Sequence, residues 1–179
     1  MSKYFYLTGI IFLLATWNLQ AQNKIKWNSW EEAIEKSKKV KKKIFVDIYT
    51  DWCGWCKKLD HSTFAENHIA KYINENYYPV RFNAETKENI ILKGTEYKFV
   101  SSGKRGYHEL AAYLMQGRMS YPTAVFLDED LNIIQAIPGF QNTDNFEMII
   151  AYFGTNSHKS TPWSKFINQY THQAYFSEK

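Results

Sequence analysis

Ile44-Phe45-Val46-Asp47-Ile48-Tyr49-Thr50-Asp51-Trp52-Cys53-Gly54-Trp55-Cys56-Lys57 is the stretch on which the fold turns. Its first half is β-branched and aromatic, bounded by lysines on one side and by Thr50-Asp51 on the other. That composition predicts a buried strand carrying a single acid, Asp47. A helix is expected to begin near Cys53 and to run through Leu59. A cysteine at a helix start points its sulfur at unpaired backbone N–H groups and at the positive end of the helix dipole. Thiolate is thereby favoured over thiol, so the Cys53 pKa is expected to fall from ~8.5 into the ~3.5–7.5 range. Cys56 lies three positions on, one turn later on the same face, where it can resolve a mixed disulfide. Gly54 allows a substrate backbone to come close. Asp47, six residues before Cys53, is costly to ionise inside an apolar strand. Its pKa is expected to be raised, which suits proton exchange with Cys56. Trp52 and Trp55 flank the thiols as an expected apolar rim for substrate.

Upstream, Ser29 and Glu32 have capping-box spacing, which predicts a helix over 30–39 with Trp30, Ala33 and Ile34 facing inward. Lys38, Lys39, Lys41, Lys42 and Lys43 read as a solvated helix end. Further upstream, Lys3 precedes an uncharged run from Tyr4 to Trp17, followed by Leu19-Gln20-Ala21. This pattern reads as a secretory signal peptide over 1–21, shorter than the ~20 apolar residues of a membrane span. The expected location is periplasmic or secreted, where disulfides form.

Downstream, a helix is expected from Asn67, with Ile69, Tyr72 and Ile73 at helical spacing. A strand follows over Tyr78-Pro79-Val80-Arg81-Phe82, with Pro79 at its beginning. Ile90 to Val100 reads as a hairpin turning at Lys93-Gly94, and Ser101-Ser102-Gly103 with Gly106 as a loop. Tyr107 to Met115 has a helical pattern that Gly117 can end. Thr123 to Leu127 and Ile133 to Ile137 read as paired strands. Phe146, Ile149, Ile150 and Phe153 stripe a closing helix terminated by Gly154. Thr161-Pro162 fits the N-cap and first position of a short helix, in which Trp163, Phe166 and Ile167 can pack back on the body. This order of helices and strands indicates one α/β sheet domain over 22–154, followed by a C-terminal extension over 155–179.

Composition narrows the function. The chain has 179 residues, 22% of them charged and 45% hydrophobic, so a disordered chain is excluded. A net charge of +4 without an arginine cluster argues against a nucleic-acid partner. With two cysteines, the fold cannot be a disulfide-stapled miniprotein. Phosphate-loop, zinc-protease and serine-hydrolase motifs are absent from the sequence. A zinc set of Cys53, Cys56, His61 and His68 has no usual ligand spacing, a copper-handling dithiol has only the softness of its sulfurs in favour, and no metal site is assigned. Lys57 follows Cys56 where haem attachment needs His. His61, His68, His108, His158 and His172 read as surface or boundary residues.

The stretch 44–57 resembles the active-site segment of thioredoxins, and most closely that of the secreted, thioredoxin-related proteins of bacteria. Asp47 stands at that family's buried acid, and Cys53 and Cys56 at its nucleophilic and resolving cysteines. Val80 to Ala84 resembles the next central strand, with Arg81 where the family often has Lys. Tyr121-Pro122-Thr123 matches the family's cis-proline turn, and Pro138-Gly139-Phe140 its glycine segment before the last helix. The resemblance covers roughly 28–154. It implies a thioredoxin-like fold, a central mixed sheet flanked by helices, with a hairpin-plus-helix insertion over about 86–118 ahead of the cis-proline. Tyr121 and Pro122 would then offer backbone to an extended substrate segment. Gly54-Trp55 replaces the Gly-Pro of ordinary thioredoxin, a pair that tunes thiolate stability and potential. The implied activity is a thiol:disulfide oxidoreductase. The direction favoured is reduction of protein disulfides, with a membrane electron carrier as redox partner and no cofactor beyond the two cysteines. The competing readings are a disulfide oxidase or isomerase, a non-catalytic binding module, and a metal-handling dithiol protein.

Overall fold

Alternation along one strand organises the molecule. In this computed structural model, which describes residues 24–176, β1 (Lys43–Tyr49) is buried over nearly its whole length. Ile44, Val46 and Ile48 enter one core and Phe45 enters another, as the two-residue period of a strand requires. A strand covered on both faces reads as a near-continuous apolar run, which is why the segment is so hydrophobic.

The elements after α1 (Trp30–Lys39) and β1 are α2 (Gly54–His61), α3 (Asn67–Asn76), β2 (Tyr77–Asn83), β3 (Ile90–Leu92) and β4 (Thr95–Tyr97). Then come β5 (Phe99–Ser102), β6 (Arg105–His108), α4 (Glu109–Leu114), β7 (Thr123–Leu127), β8 (Ile133–Pro138), α5 (Thr143–Gly154), α6 (Trp163–Gln169) and α7 (His172–Phe176). The central sheet has the order β2-β1-β7-β8. β1 pairs parallel with β2 and antiparallel with β7, and β7 pairs antiparallel with β8. The mixed α/β sheet with flanking helices is therefore as expected. One face carries Trp30 and Ala33 of α1 with Leu110, Ala111 and Leu114 of α4. The other carries α3, α5 and α6 around Phe45, Phe126 and Phe146. Among the described residues no helix is long and apolar enough to cross a membrane. The expected signal peptide, 1–21, lies outside the described residues.

Several expectations need correction. The insertion holds two hairpins: β3 pairs with β4, and the segment read as a loop pairs β5 with β6. The second was missed because its strands are short and mostly only partly buried, so no alternation marks them. Tyr107 and His108 belong to β6, and α4 starts at Glu109. β2 starts at Tyr77, one residue before the expected strand, so Pro79 is its third residue, tolerated because β2 is an edge strand. Lys43 is buried, and its ammonium lies 2.8 Å from Glu129 Oε1. His108 is fully buried rather than a boundary residue. Its Nδ1 accepts from Leu110 N–H as the cap of α4, its Nε2 is 2.9 Å from the Glu88 carbonyl, and burial lowers its pKa. Pro162, not Thr161, caps α6, and a second short helix, α7, follows. Phe166 is buried against the body, whereas Ile167 is exposed.

Candidate active site

β1 ends at Tyr49, and the chain turns through Thr50-Asp51-Trp52 into α2, with Cys53 N–H donating to the Thr50 carbonyl (3.1 Å). Cys53 is the N-cap of α2, and its Sγ accepts from Cys56 N–H at 3.0 Å. The sulfur thus occupies the place where a capping oxygen usually satisfies an orphan N–H. Cys53 and Cys56 are joined as a disulfide, with Cα atoms 5.3 Å apart. Both residues are largely covered, at 4% and 3% exposure. Gly54 opens the helix beside them, and a Cβ added there would meet nothing within 4 Å.

Asp47 sits two residues from the end of β1, 2% exposed. Burial pushes its carboxyl up to about 7, against the opposing pull of the Arg81 guanidinium. It is not the isolated acid the sequence suggests. Arg81 is its register partner on β2, with Nε 3.9 Å from Asp47 Oδ2. Arg81 in turn donates to Asp60 of α2 at 2.5 Å and lies over the Tyr49 ring. Its main bond goes to Asp60, which leaves Asp47 incompletely compensated.

The two tryptophans are half exposed, Trp52 at 50% and Trp55 at 57%, as a rim would be. Trp52 meets the Tyr121 ring edge-on at 5.8 Å, and Trp55 meets Phe140 at 5.5 Å. The Tyr121–Pro122 peptide bond is cis. Pro122 immediately precedes β7, whose first residue, Thr123, pairs with Ile48 near the end of β1. The Pro122 carbonyl accepts from Gly139 N–H at 2.7 Å, and Gly139 has φ +89°, which a side chain would strain. The proline turn, the glycine segment and the dithiol thus meet at one end of the sheet.

Besides Asp60, sequence reasoning missed three contributors around the tryptophans. Glu85 accepts from Trp52 Nε1 at 3.0 Å. Arg105, at the start of β6, stacks over the Trp52 ring at 4.4 Å. Lys58 lies over both Trp55 and Phe140. Of these, only Lys58 is close enough in sequence to Trp55 for helical spacing to reveal it.

Residues 15–153 match the family described as Thioredox_DsbH, protein of unknown function, DUF255. The uncharacterized protein B0495.5 of Caenorhabditis elegans is 28% identical over 72% of this chain and 16% of its own length. Spermatogenesis-associated protein 20 of Rattus norvegicus is 31% identical over 39% of this chain and 9% of its own. The chain therefore spans only a small part of these longer relatives. A solved DsbH oxidoreductase superposes with TM-score 0.51 at 18% identity, over 74% of this chain and 85% of that one. A thioredoxin from Thermus thermophilus gives 0.55 at 12% identity, over 83% and 99%. At such identities the superpositions establish the fold, and it is the thioredoxin fold. With most of its length under a single family description, the chain belongs to the thioredoxin-like Thioredox_DsbH (DUF255) family.

Proposed function

We propose that the protein is an exported thiol:disulfide oxidoreductase that reduces protein disulfides in the periplasm or outside the cell. The observation carrying this reading is Cys53 at the N-cap of α2, its sulfur held by the Cys56 N–H in a thioredoxin fold. A donor aimed at that sulfur stabilises negative charge on it once the disulfide is reduced.

In the reduced enzyme the Cys53 thiolate attacks one sulfur of a substrate disulfide. A Cys53–substrate bond forms, and the other substrate sulfur leaves as a thiolate. Cys56 then gives its proton to the Asp47 carboxylate, directly or through water, and attacks Cys53 Sγ. The second substrate sulfur departs, and the Cys53–Cys56 disulfide closes. Two electrons pass to the substrate, and a membrane electron carrier returns two to the enzyme. A carboxyl with its pKa near 7 can both accept and return that proton at neutral pH. Trp52, Trp55 and Gly54 border the approach, and the Tyr121-Pro122 backbone receives an extended segment as an added strand. No cofactor is needed beyond the dithiol.

The test is reduction of insulin disulfides. Wild type is expected to turn over and Cys53→Ser to lose all detectable turnover; equal activity of the two would leave only a binding module. In Asp47→Asn the substrate-linked mixed disulfide should accumulate, as seen by intact mass after acid quenching. Equilibration with glutathione sets direction. A potential near the ~−270 mV of thioredoxins fits a reductase, whereas one as oxidising as ~−120 mV reverses the assignment.

A further inference from the structure

Three donors converge away from the dithiol. His68 lies in the first turn of α3, Glu147 on α5 and His172 at the start of α7. Nε2 of His68 lies 3.0 Å from Glu147 Oε2, and Nδ1 of His172 lies 2.7 Å from Glu147 Oε1. The candidate donor atoms of all three lie within 4.8 Å of one another. Glu147 is buried, and among the described residues its ion-pair partners are these two imidazoles, with no Lys or Arg. His68 Nε2 is itself shielded from solvent, and although close to the carboxylate it makes no hydrogen bond. That nitrogen faces the carboxylate at close range without a hydrogen bond, a position from which both groups can reach one cation.

We propose that His68, Glu147 and His172 form a binding site for a divalent transition ion of the zinc type. Two imidazoles and a carboxylate are a donor set that Zn²⁺ accepts, at ~2.0–2.2 Å from each donor. Tetrahedral donors at that distance stand roughly 3.3–3.6 Å apart, so the 3.0 Å and 2.7 Å histidine–carboxylate spacings open by up to about 0.9 Å, while the third pair, within 4.8 Å, adjusts to the same separation. His172 is half exposed on the short helix α7, stacked on Phe176. The Tyr170 hydroxyl donates to Glu147 Oε1 and so orients the carboxylate from outside the donor set. A cavity of about 350 Å³, bordered by His68, Tyr72 and Tyr175, lies beside the cluster. A bound ion would offset the cost of the buried Glu147 charge and tie α7 to α3 and α5.

The test uses the full chain with its Cys53–Cys56 disulfide closed, so that no thiol can bind metal. After chelator treatment it is titrated with Zn²⁺ and, for spectroscopy, with Co²⁺ at pH 7.5. Wild type should take up one equivalent, and the cobalt form should show d–d bands without a thiolate charge-transfer band. His68→Ala and His172→Ala should each lower the affinity at least tenfold. His172→Ala lies on an exposed helix, so circular dichroism should report an intact fold, and its loss of binding reads the site itself. No uptake by wild type at millimolar zinc overturns the proposal and leaves a glutamate–histidine ion pair. Unchanged affinity in both variants overturns it equally.

Discussion

A carboxyl group in the middle of a strand buried on both faces has a calculable signature. Asp47 ionises near its ordinary value of ~3.9 in the unfolded chain but near 7 in the folded one. Below pH ~4 it is neutral in both states and costs nothing. As the pH rises toward 7 the unfolded chain loses this proton while the folded protein keeps it, so stability falls. Above about 7 the penalty is complete and constant. Asp47→Asn should therefore stabilise the protein at pH 8 by on the order of a few kcal/mol and change little at pH 4. Urea unfolding at the two pH values reads the difference, and a pH dependence identical to wild type would mean that Asp47 is not the buried titrating group. That Asp47 is buried and raised was legible from its position in an apolar run. That Arg81 spends its strongest bond on Asp60 was not, because the three residues meet only when β1, β2 and α2 are assembled. His108 illustrates the same limit. A lone histidine beside a polar loop looks like surface, and only its meeting with Phe82 and with the Ala84 and Glu88 carbonyls places it inside.

Helix ends and tight contacts decide the elements. The capping box of α1 is complete, with Ser29 accepting from Glu32 N–H at 3.1 Å and Glu32 from Ser29 N–H at 2.9 Å. Ser29→Ala should cost about 1 kcal/mol in thermal or urea unfolding. The sequence pattern placed this helix because a cap and its partner lie three residues apart. The sequence suggests Gly154 as a helix terminator, but the left-handed residue beyond α5 is Asn156, at φ 64°. The reason for glycine at 154 is space: an added Cβ would lie 2.8 Å from the Tyr72 hydroxyl and 3.1 Å from that of Tyr77. Tyr77 is buried and bonded to the Ile150 carbonyl, so it cannot retreat. Gly154→Ala, which helix propensity alone would favour, should instead destabilise by about 1–3 kcal/mol. Gly106 is tighter still, with Val100 backbone oxygen 2.4 Å from a built Cβ. Gly106→Ala should open the β5–β6 hairpin that holds Arg105 over Trp52, detectable as faster amide exchange at Phe99 to His108.

At the scale of the whole molecule, the described residues after 154, 155–176, pack onto the body through α6. Phe166 of α6 is buried in the core cluster that contains Phe45 and Phe126, and it meets the Tyr152 ring at 4.9 Å. Phe166→Ala should cost about 3 kcal/mol of unfolding free energy, far more than an appended tail would lose. The sequence by itself determined whatever is written within a few residues: the buried strand with its acid, the cysteine cap, the capping box, and the apolar stripes of α3 and α5. These follow from periodicities and terminal hydrogen bonds that a single element completes alone. Tertiary structure alone decided which distant residues share a site. Arg81 and Asp60 flank Asp47, Glu85 and Arg105 hold Trp52, and His68, Glu147 and His172 converge although more than a hundred positions separate the first from the last. No local period encodes such meetings, because they arise only when separate elements bury their apolar faces against one sheet.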